Sequence, residues 1–382
     1  MFNKRVLNKI DKPLLIISFI CLAFGLMMVG SASSLKAYMK YQDSYYFFKR
    51  QLIFICIGLF CAGVIISVPL KRWKNLVYLS VVGIIGLLVY VLVNDNVSNG
   101  VKGWLFIGSF GIQPSEFAKT VLILYFAFIY SYLIKIRNIS NTMKVLPYIV
   151  PLIFILLVFK QPDFGTMMVI MGITVVIFLI VPYDSKTKLV MTSSAVISVL
   201  ILVVVMLLTG KGLSDSQKSR FNYKDPCTRY RQKTGYQVCN GYIAINTGGL
   251  LGNGYGNSKQ KFLYLPEAHT DFIFAIIIEE MGLVSGILML AAYFIIIWRI
   301  IRIGRRSYNL FGTIICYGVA SLISLHILIN LGGVLGVIPL TGVPLPFYTY
   351  GGSFMINLLI CLGLVQRVAV ENKMFEQKHL VR

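Results

Sequence analysis

Apolar residues in this chain fall in long unbroken runs, with the polar positions collected between them. Neither strict alternation nor a one-sided helical stripe describes such a pattern; runs of this length read as helices buried all round or crossing a bilayer. Ten are predicted, over residues 14–31, 52–68, 76–93, 115–134, 146–159, 164–181, 189–209, 272–298, 310–335 and 354–369. A bilayer core takes about 20 apolar residues as a helix, because no backbone polar group can be left bare in hydrocarbon. The fifth run is short and suggests a tilted or partly re-entrant segment. The first has signal-peptide-like flanks in Lys4, Arg5, Lys9 and Lys12. Its core is long for a signal peptide and no small-residue cleavage site follows, so it reads as a signal anchor. The expected fold is an all-α membrane protein of ten transmembrane helices, with residues 1–382 forming a single polytopic domain.

Three of the intervening stretches are rich in turn-forming residues. Residues 94–113 contain NGVKGWLFIGSFGIQ, with Trp104 and Phe106 suited to an interfacial belt. Residues 210–270 form a loop too long to be a plain connector. Residues 332–352, GGVLGVIPLTGVPLPFYTYGG, carry Pro339, Pro344 and Pro346 and cannot continue a helix. Backbone of that kind at membrane depth must be covered by protein or line a wet cavity.

Composition agrees with the pattern: 57% of residues are hydrophobic and 13% charged, where a soluble domain has about a quarter charged. The net charge of +22 changes the picture more, since it raises nucleic acid as a partner. Its distribution answers otherwise. With both termini cytoplasmic, inner segments hold twenty of the 36 Lys and Arg, short outer segments hold seven, and the remainder sit in the long loop. This asymmetry orients the chain, with both ends inside and residues 210–271 outside, and nucleic acid is not expected. The basic inner segments also suit anionic membrane lipid. Short inner connections leave no room for a nucleotide-binding domain. The Gly-rich run GGLLGNGYG at 248–256 lacks the Gly-Lys-Ser/Thr ending of a phosphate loop, so no nucleotide cofactor is expected. Of seven cysteines, five lie in apolar runs; Cys227 and Cys239 share the outer loop, where a disulfide is chemically possible.

Carboxylates within or beside a span cost roughly 2.5–3.5 kcal/mol each, so they usually mark a site. LPEAHTDFIFAIIIEEMG (265–282) places Asp271 at the outer mouth of the eighth run. Asp271 suits a general base or a cation ligand; equally, it could be an acid complementing the dipole of the helix it begins. Glu279 and Glu280 lie about two turns deeper and cannot share one wall with Asp271, and Glu280 is expected to be structural. Glu116 and Lys119, three residues apart, should neutralise each other, and Lys160 and Asp163 repeat the spacing. Both pairs are expected to line a polar cavity. His326 should form a hydrogen bond between helices. Lys218, Arg220, Lys224, Arg229, Arg231 and Lys233 make the outer loop basic, either as a solvated surface or to capture a phosphate-bearing substrate.

Read together, several of these stretches resemble the SEDS (shape, elongation, division and sporulation) cell-wall polymerases of bacteria. They are GWLFIGSFGIQPSEFAK (103–119), KQPDFGT (160–166), SRFNYKDP (219–226), the run GYQVCNGYIAIN…HTDFIFAIIIEEMG (235–282) and GVIPLTGVPLPFYTYGGS (336–353). GNSKQKFLYLPEAHTDFIF is closer to the division branch than to the elongation branch, and a sporulation paralogue would be similar. The resemblance implies a membrane glycosyltransferase that polymerises lipid II on the outer face, at the septum. It makes Asp271, the Asp of HTDF, the catalytic base. It assigns Glu116, Lys119 and Asp163 to family motifs and matches Arg220 more loosely; Lys218, His269 and Gln237 join them as candidate substrate contacts. It also implies a class B penicillin-binding protein, a transpeptidase, as partner, beside other division membrane proteins. Two positions depart from the family: Lys102-Gly103-Trp104 stands where Arg-Arg-Trp is usual, and TYGGSF where SYGGSS is usual.

The chemistry is consistent with that resemblance. No nucleotide pool exists outside the membrane, so a donor must arrive activated, as a polyprenyl pyrophosphate sugar does. Attack on its anomeric carbon needs a base, here Asp271, and departure of pyrophosphate needs positive charge. Arg220, Lys218 or a divalent cation (Mg²⁺ or Mn²⁺) held partly by Asp271 would supply it. Three other functions compete: a lipid II flippase or other transporter, the elongation-type polymerase, and a scaffold for division proteins.

Overall fold

The computed structural model describes residues 6, 8–94, 97–98, 101–108, 110–136, 140–209, 224–231, 233–262 and 264–380. Each predicted run lies on a helix. First come α1 (Lys12–Tyr41), α2 (Tyr46–Ser67) and α3 (Leu70–Val93). Two short antiparallel hairpins follow: β1 (Val97–Ser98) with β2 (Val101–Lys102), and β3 (Leu105–Ile107) with β4 (Phe110–Ile112). They lead into α4 (Pro114–Leu133). The fifth run is a short α5 (Asn141–Val145), a 3₁₀ turn at Leu146–Tyr148 and α6 (Ile149–Lys160), and the stretch Met143–Lys160 is long enough to span. Then come α7 (Phe164–Ile180), α8 (Ser185–Thr209), α9 (Lys233–Gly248), α10 (Ile273–Arg305), α11 (Leu310–Val334) and α12 (Gly352–Leu380).

Among the described residues, eight helical segments are long and apolar enough to cross a membrane, and α7, at 17 residues, is a shorter apolar helix. Helix starts follow local chemistry. Asp11 caps α1 by accepting from Leu14 N at 3.0 Å, and Asn309 caps α11 by accepting from Gly312 N at 2.8 Å. The most apolar window of α12 is 89% buried against 28% for that of α3, so α12 runs through the centre and α3 along the rim. α12 packs along α2, and α11 lies among α4, α7 and α10.

Two expectations need correction. Residues 210–270 are not all loop, because α9 occupies Lys233–Gly248 and Cys227 and Cys239 are disulfide-bonded. Second, the eighth run is not one uninterrupted helix. At Gly282 the backbone turns to φ 79°, ψ 169°, and a Cβ there would stand 2.2 Å from the Leu250 carbonyl oxygen. The Gly-rich run enters this break. Asn253 N donates to Glu279 O at 3.0 Å and Gly254 N to Glu280 O at 2.9 Å, while Leu283 N donates to Gly249 O at 2.9 Å. Groups freed by the break are thereby satisfied from outside the helix, which burial at this depth demands.

Candidate active site

Asp271 lies in a tight turn just before α10, half-buried. Glu267, at φ 56°, organises that turn: its carbonyl accepts from Thr270 N and Phe272 N, and its carboxylate accepts from Thr270 Oγ1 at 2.7 Å. Lys36, from α1, pairs with the same carboxylate at 3.2 Å. Burial disfavours the charge on Glu267, but Lys36, Thr270 and His269 hold its carboxyl below the ordinary value.

The Pro- and Gly-rich segment between α11 and α12 forms the facing wall. Gly342, at φ 76°, lies so near that a Cβ on it would stand 3.2 Å from Asp271 Oδ2, so the position favours glycine for both backbone and space. Asn330 of α11 joins the two walls, donating through Nδ2 to Asp271 O at 2.9 Å and to Val343 O at 2.8 Å. One turn earlier, His326 Nδ1 meets Pro344 O at 3.1 Å, and its Nε2 lies 3.1 Å from Lys119 Nζ. Lys119 is paired with Glu116 at 2.8 Å, and all three side chains are buried. The expected Glu116–Lys119 pair is thus present, and it extends through His326 to the segment beside Asp271. Further bonds pin that segment: Gln51 of α2 to Thr349 O at 3.2 Å, and Tyr350 N to His269 O at 2.9 Å.

Asp163 does not pair with Lys160, which is exposed; it caps α7 by accepting from Thr166 N at 3.0 Å and takes Gln113 Nε2 at 2.9 Å. Its two carboxylate oxygens are thereby taken, Oδ1 by the Thr166 amide and Oδ2 by the Gln113 side chain, while Lys160 lies at the surface. His269 is 4% exposed, its ring centroid 4.8 Å from that of Phe47 and 5.8 Å from that of Tyr350. Burial, then the charge of Lys36, push this imidazole down to about 4, with Glu267 pulling the other way, so it is neutral at pH 7. Gln237 sits on α9 and donates to Pro266 O at 3.3 Å, holding the turn that leads to Asp271. Lys218 and Arg220 lie outside the described residues. Among the described residues, no group of three His, Cys, Asp or Glu is placed to hold a metal ion.

Glu279 and Glu280 are engaged with other partners. Glu280 pairs with Lys261 at 2.9 Å and accepts from Ser31 Oγ of α1 at 2.7 Å. Glu279 accepts from Ser258 Oγ at 2.5 Å and Lys259 N at 2.9 Å. Both are structural, anchoring the chain that enters the break in α10. Sequence reasoning missed Lys261, Asn330 and the Lys119–His326 contact. A lone cation beside apolar FLYL and a mid-span Asn were the available signals.

A family described as "Cell cycle protein" (FtsW, RodA and SpoVE) matches residues 12–374. The Stage V sporulation protein E of Bacillus subtilis (strain 168) is 36% identical over 372 residues, covering 94% of this chain and 96% of that protein. A protein named probable peptidoglycan glycosyltransferase FtsW, from the same organism, is 34% identical over 385 residues, covering 98% and 94%. Among solved structures, a chain described under "Structural coordination of polymerization and crosslinking by a peptidoglycan synthase complex" superposes with a TM-score of 0.74 at 25% identity, covering 95% of this chain and 98% of that one. The rod shape determining protein RodA of Thermus thermophilus gives 0.67 at 24%, a likeness of fold, covering 94% and 96%. Long apolar helices and full-length similarity agree: this multi-pass membrane protein belongs to the FtsW, RodA and SpoVE family of cell cycle proteins, the SEDS family.

Proposed function

We propose that the protein is a peptidoglycan glycosyltransferase that polymerises lipid II at the outer face of the bacterial cytoplasmic membrane during cell division, with Asp271 as general base. We read ten spans in it, α7 and α8 included, with both termini cytoplasmic. The observation that carries the reading is the position of Asp271. It stands between a spanning helix and a non-helical wall held by Asn330, His326 and Gln51, at the same end of the bundle as the hairpins and α9.

In the proposed reaction an acceptor sugar hydroxyl attacks the anomeric carbon of the donor. Asp271 takes the hydroxyl proton, the new C–O bond forms, and the bond to the polyprenyl pyrophosphate breaks with its electron pair leaving on phosphate. A single displacement of this kind inverts the anomeric centre. Lys218 and Arg220 are proposed to meet the developing charge. A divalent cation would fit in the same role, because Mg²⁺ is commonly held by one or two carboxylates together with substrate phosphates. It would neutralise the leaving pyrophosphate; Asp271 would then be its ligand. Names of relatives support the chemistry, several being called peptidoglycan glycosyltransferase FtsW. The solved chain comes from a complex described as coordinating polymerization and crosslinking, which supports a transpeptidase as partner, and we take a class B penicillin-binding protein for that role.

Transport of lipid II is the second reading, favoured by the break in α10, since broken helices are common in transporters. That break is filled by the protein's own backbone and its carboxylates are bound internally, which leaves the polymerase reading ahead.

Purified protein and lipid II, with and without a class B penicillin-binding protein, provide the test. Asp271→Asn keeps size and much hydrogen bonding but accepts no proton, so polymerisation should fall by at least about 10²–10⁴-fold while lipid II binding persists. Substantial polymerisation by the variant would remove Asp271 as base. Activity restored by high Mg²⁺ or Mn²⁺ would make it a metal ligand instead.

A further inference from the structure

At the opposite end of the bundle from Asp271, a cleft of about 320 Å³ opens where the start of α1, the end of α10 and the last turns of α12 meet. Its lining is strongly unbalanced in charge. Lys12, Arg299, Arg302, Arg306 and Lys373 line it, against the carboxylates of Asp11 and Glu376. Asp11 is already engaged: it caps α1 and pairs with Arg299, whose Nε lies 3.2 Å from Oδ1. Lys373 Nζ donates to the Ile10 carbonyl at 3.1 Å. Among the described residues, Lys12, Arg302 and Arg306 form no ion pair. Three cations around one cleft, none neutralised by a described residue, favour an anionic occupant.

A second observation narrows its chemistry. Asn372 also lines the cleft and is 6% exposed. Its Nδ2 donates to Ile303 O at 3.1 Å, but its Oδ1 has no protein partner. A buried acceptor without a donor is costly, and a ligand hydroxyl would satisfy it. The occupant indicated is therefore a phosphate that carries a neighbouring hydroxyl. Position points to its source. Trp298, 47% exposed, stands beside the cleft with its ring 5.6 Å from the Arg299 guanidinium and 5.2 Å from that of Arg302. An outward Trp flanked by Arg is the usual marker of the membrane–water boundary. Above it, α10 presents Phe294 and Ile295 outward, an apolar surface suited to acyl chains.

We propose that this cleft binds the headgroup of an anionic phospholipid of the phosphatidylglycerol type. Its phosphodiester lies among Lys12, Arg302 and Arg306, and its glycerol hydroxyl donates to Asn372 Oδ1. The site is separate from the polymerase reading; only its assignment to the inner leaflet rests on the orientation given by the basic residues.

The test uses the full chain, purified in detergent and examined by native mass spectrometry. Phosphatidylglycerol, phosphatidylethanolamine and inorganic phosphate are the probes. Phosphatidylglycerol should be retained preferentially, and millimolar inorganic phosphate should not displace it. The double substitution Arg302→Gln with Arg306→Gln should weaken retention roughly 10–30-fold. Lys71→Gln with Arg305→Gln, which removes the same charge elsewhere on that end, should leave it unchanged. If the first pair fails to fold, Lys12→Gln, at an exposed position, should still lower retention severalfold. Equal retention of phosphatidylethanolamine, or equal loss in the charge-matched control, would overturn the site. Displacement by inorganic phosphate would overturn the lipid as its source. None of these readouts uses polymerisation, so an inactive enzyme with an intact lipid site, or the converse, remains distinguishable.

Discussion

Three buried side chains, Glu116, Lys119 and His326, decide how rigidly Asp271 faces its wall. Lys119 Nζ lies 2.8 Å from Glu116 and 3.1 Å from the His326 ring, whose other nitrogen meets Pro344 O. Removing one partner of a buried ion pair strands the other charge, which typically costs about 3–5 kcal/mol. Glu116→Gln should therefore lower folded yield and thermal stability as well as polymerisation, read by size-exclusion chromatography and thermal melting beside the lipid II assay. Normal yield with activity lost would move Glu116 from support to chemistry. His269 offers a second test. It titrates near 6.5 when unfolded and about 4 when folded, so the unfolded chain takes up the proton first as pH falls. Its contribution is fully present above about pH 6.5 and is lost progressively down to about 4, on the order of 3 kcal/mol in all. Melting temperatures in detergent should show that slope, and His269→Phe, which keeps a ring between Phe47 and Tyr350, should flatten it. An unchanged slope in the variant would place the titration elsewhere.

At the scale of elements, the break in α10 governs how the Gly-rich chain reaches the site. Gly282→Ala adds a Cβ into the Leu250 carbonyl at a positive φ, a conflict costing at least about 1–3 kcal/mol. The variant should expose the 248–262 segment to limited proteolysis while leaving the thermal protection of α11 and α12 largely intact. Uniform destabilisation would mean that α10 and the inserted segment are one cooperative unit. This element also shows where sequence reading stops. Apolar runs were legible because the bilayer fixes their length, and the non-helical wall was legible because Pro339, Pro344 and Pro346 cannot be hidden in a helix. Gly282 was not, because one glycine within an apolar run signals nothing about its φ, and the backbone that enters the break, residues 249–254, comes from far earlier in the chain. Likewise Glu116 and Lys119 announced each other by their spacing, whereas Lys119 and His326 are 207 residues apart.

For the whole molecule, orientation is the property on which the site's location depends. Twenty basic residues on one side against seven in the short segments of the other predict a cytoplasmic N- and C-terminus. In intact cells, a membrane-impermeant thiol reagent should label a cysteine introduced at Ser214 and spare one at Ser307. The reverse pattern would place Asp271 in the cytoplasm and discard a polymerase that works outside.

The hydrogen bonds that join the first helices to the last also set a schedule. Asp11 N reaches Gln366 across 355 residues of chain, Arg367 reaches Ile66 O across 301, and Gln51 reaches Thr349 O across 298. At ~5–20 residues per second, synthesis takes roughly 20–70 s to cover the longest of these gaps. For that interval α1 and α2 have been made while Asp11 N and Ile66 O lack these partners, because Gln366 and Arg367 lie on α12. A ribosome that stops before α12 releases a chain in which Asp11 N and Ile66 O have neither Gln366 nor Arg367 to meet, so the first helices gain these ties only once α12 is made.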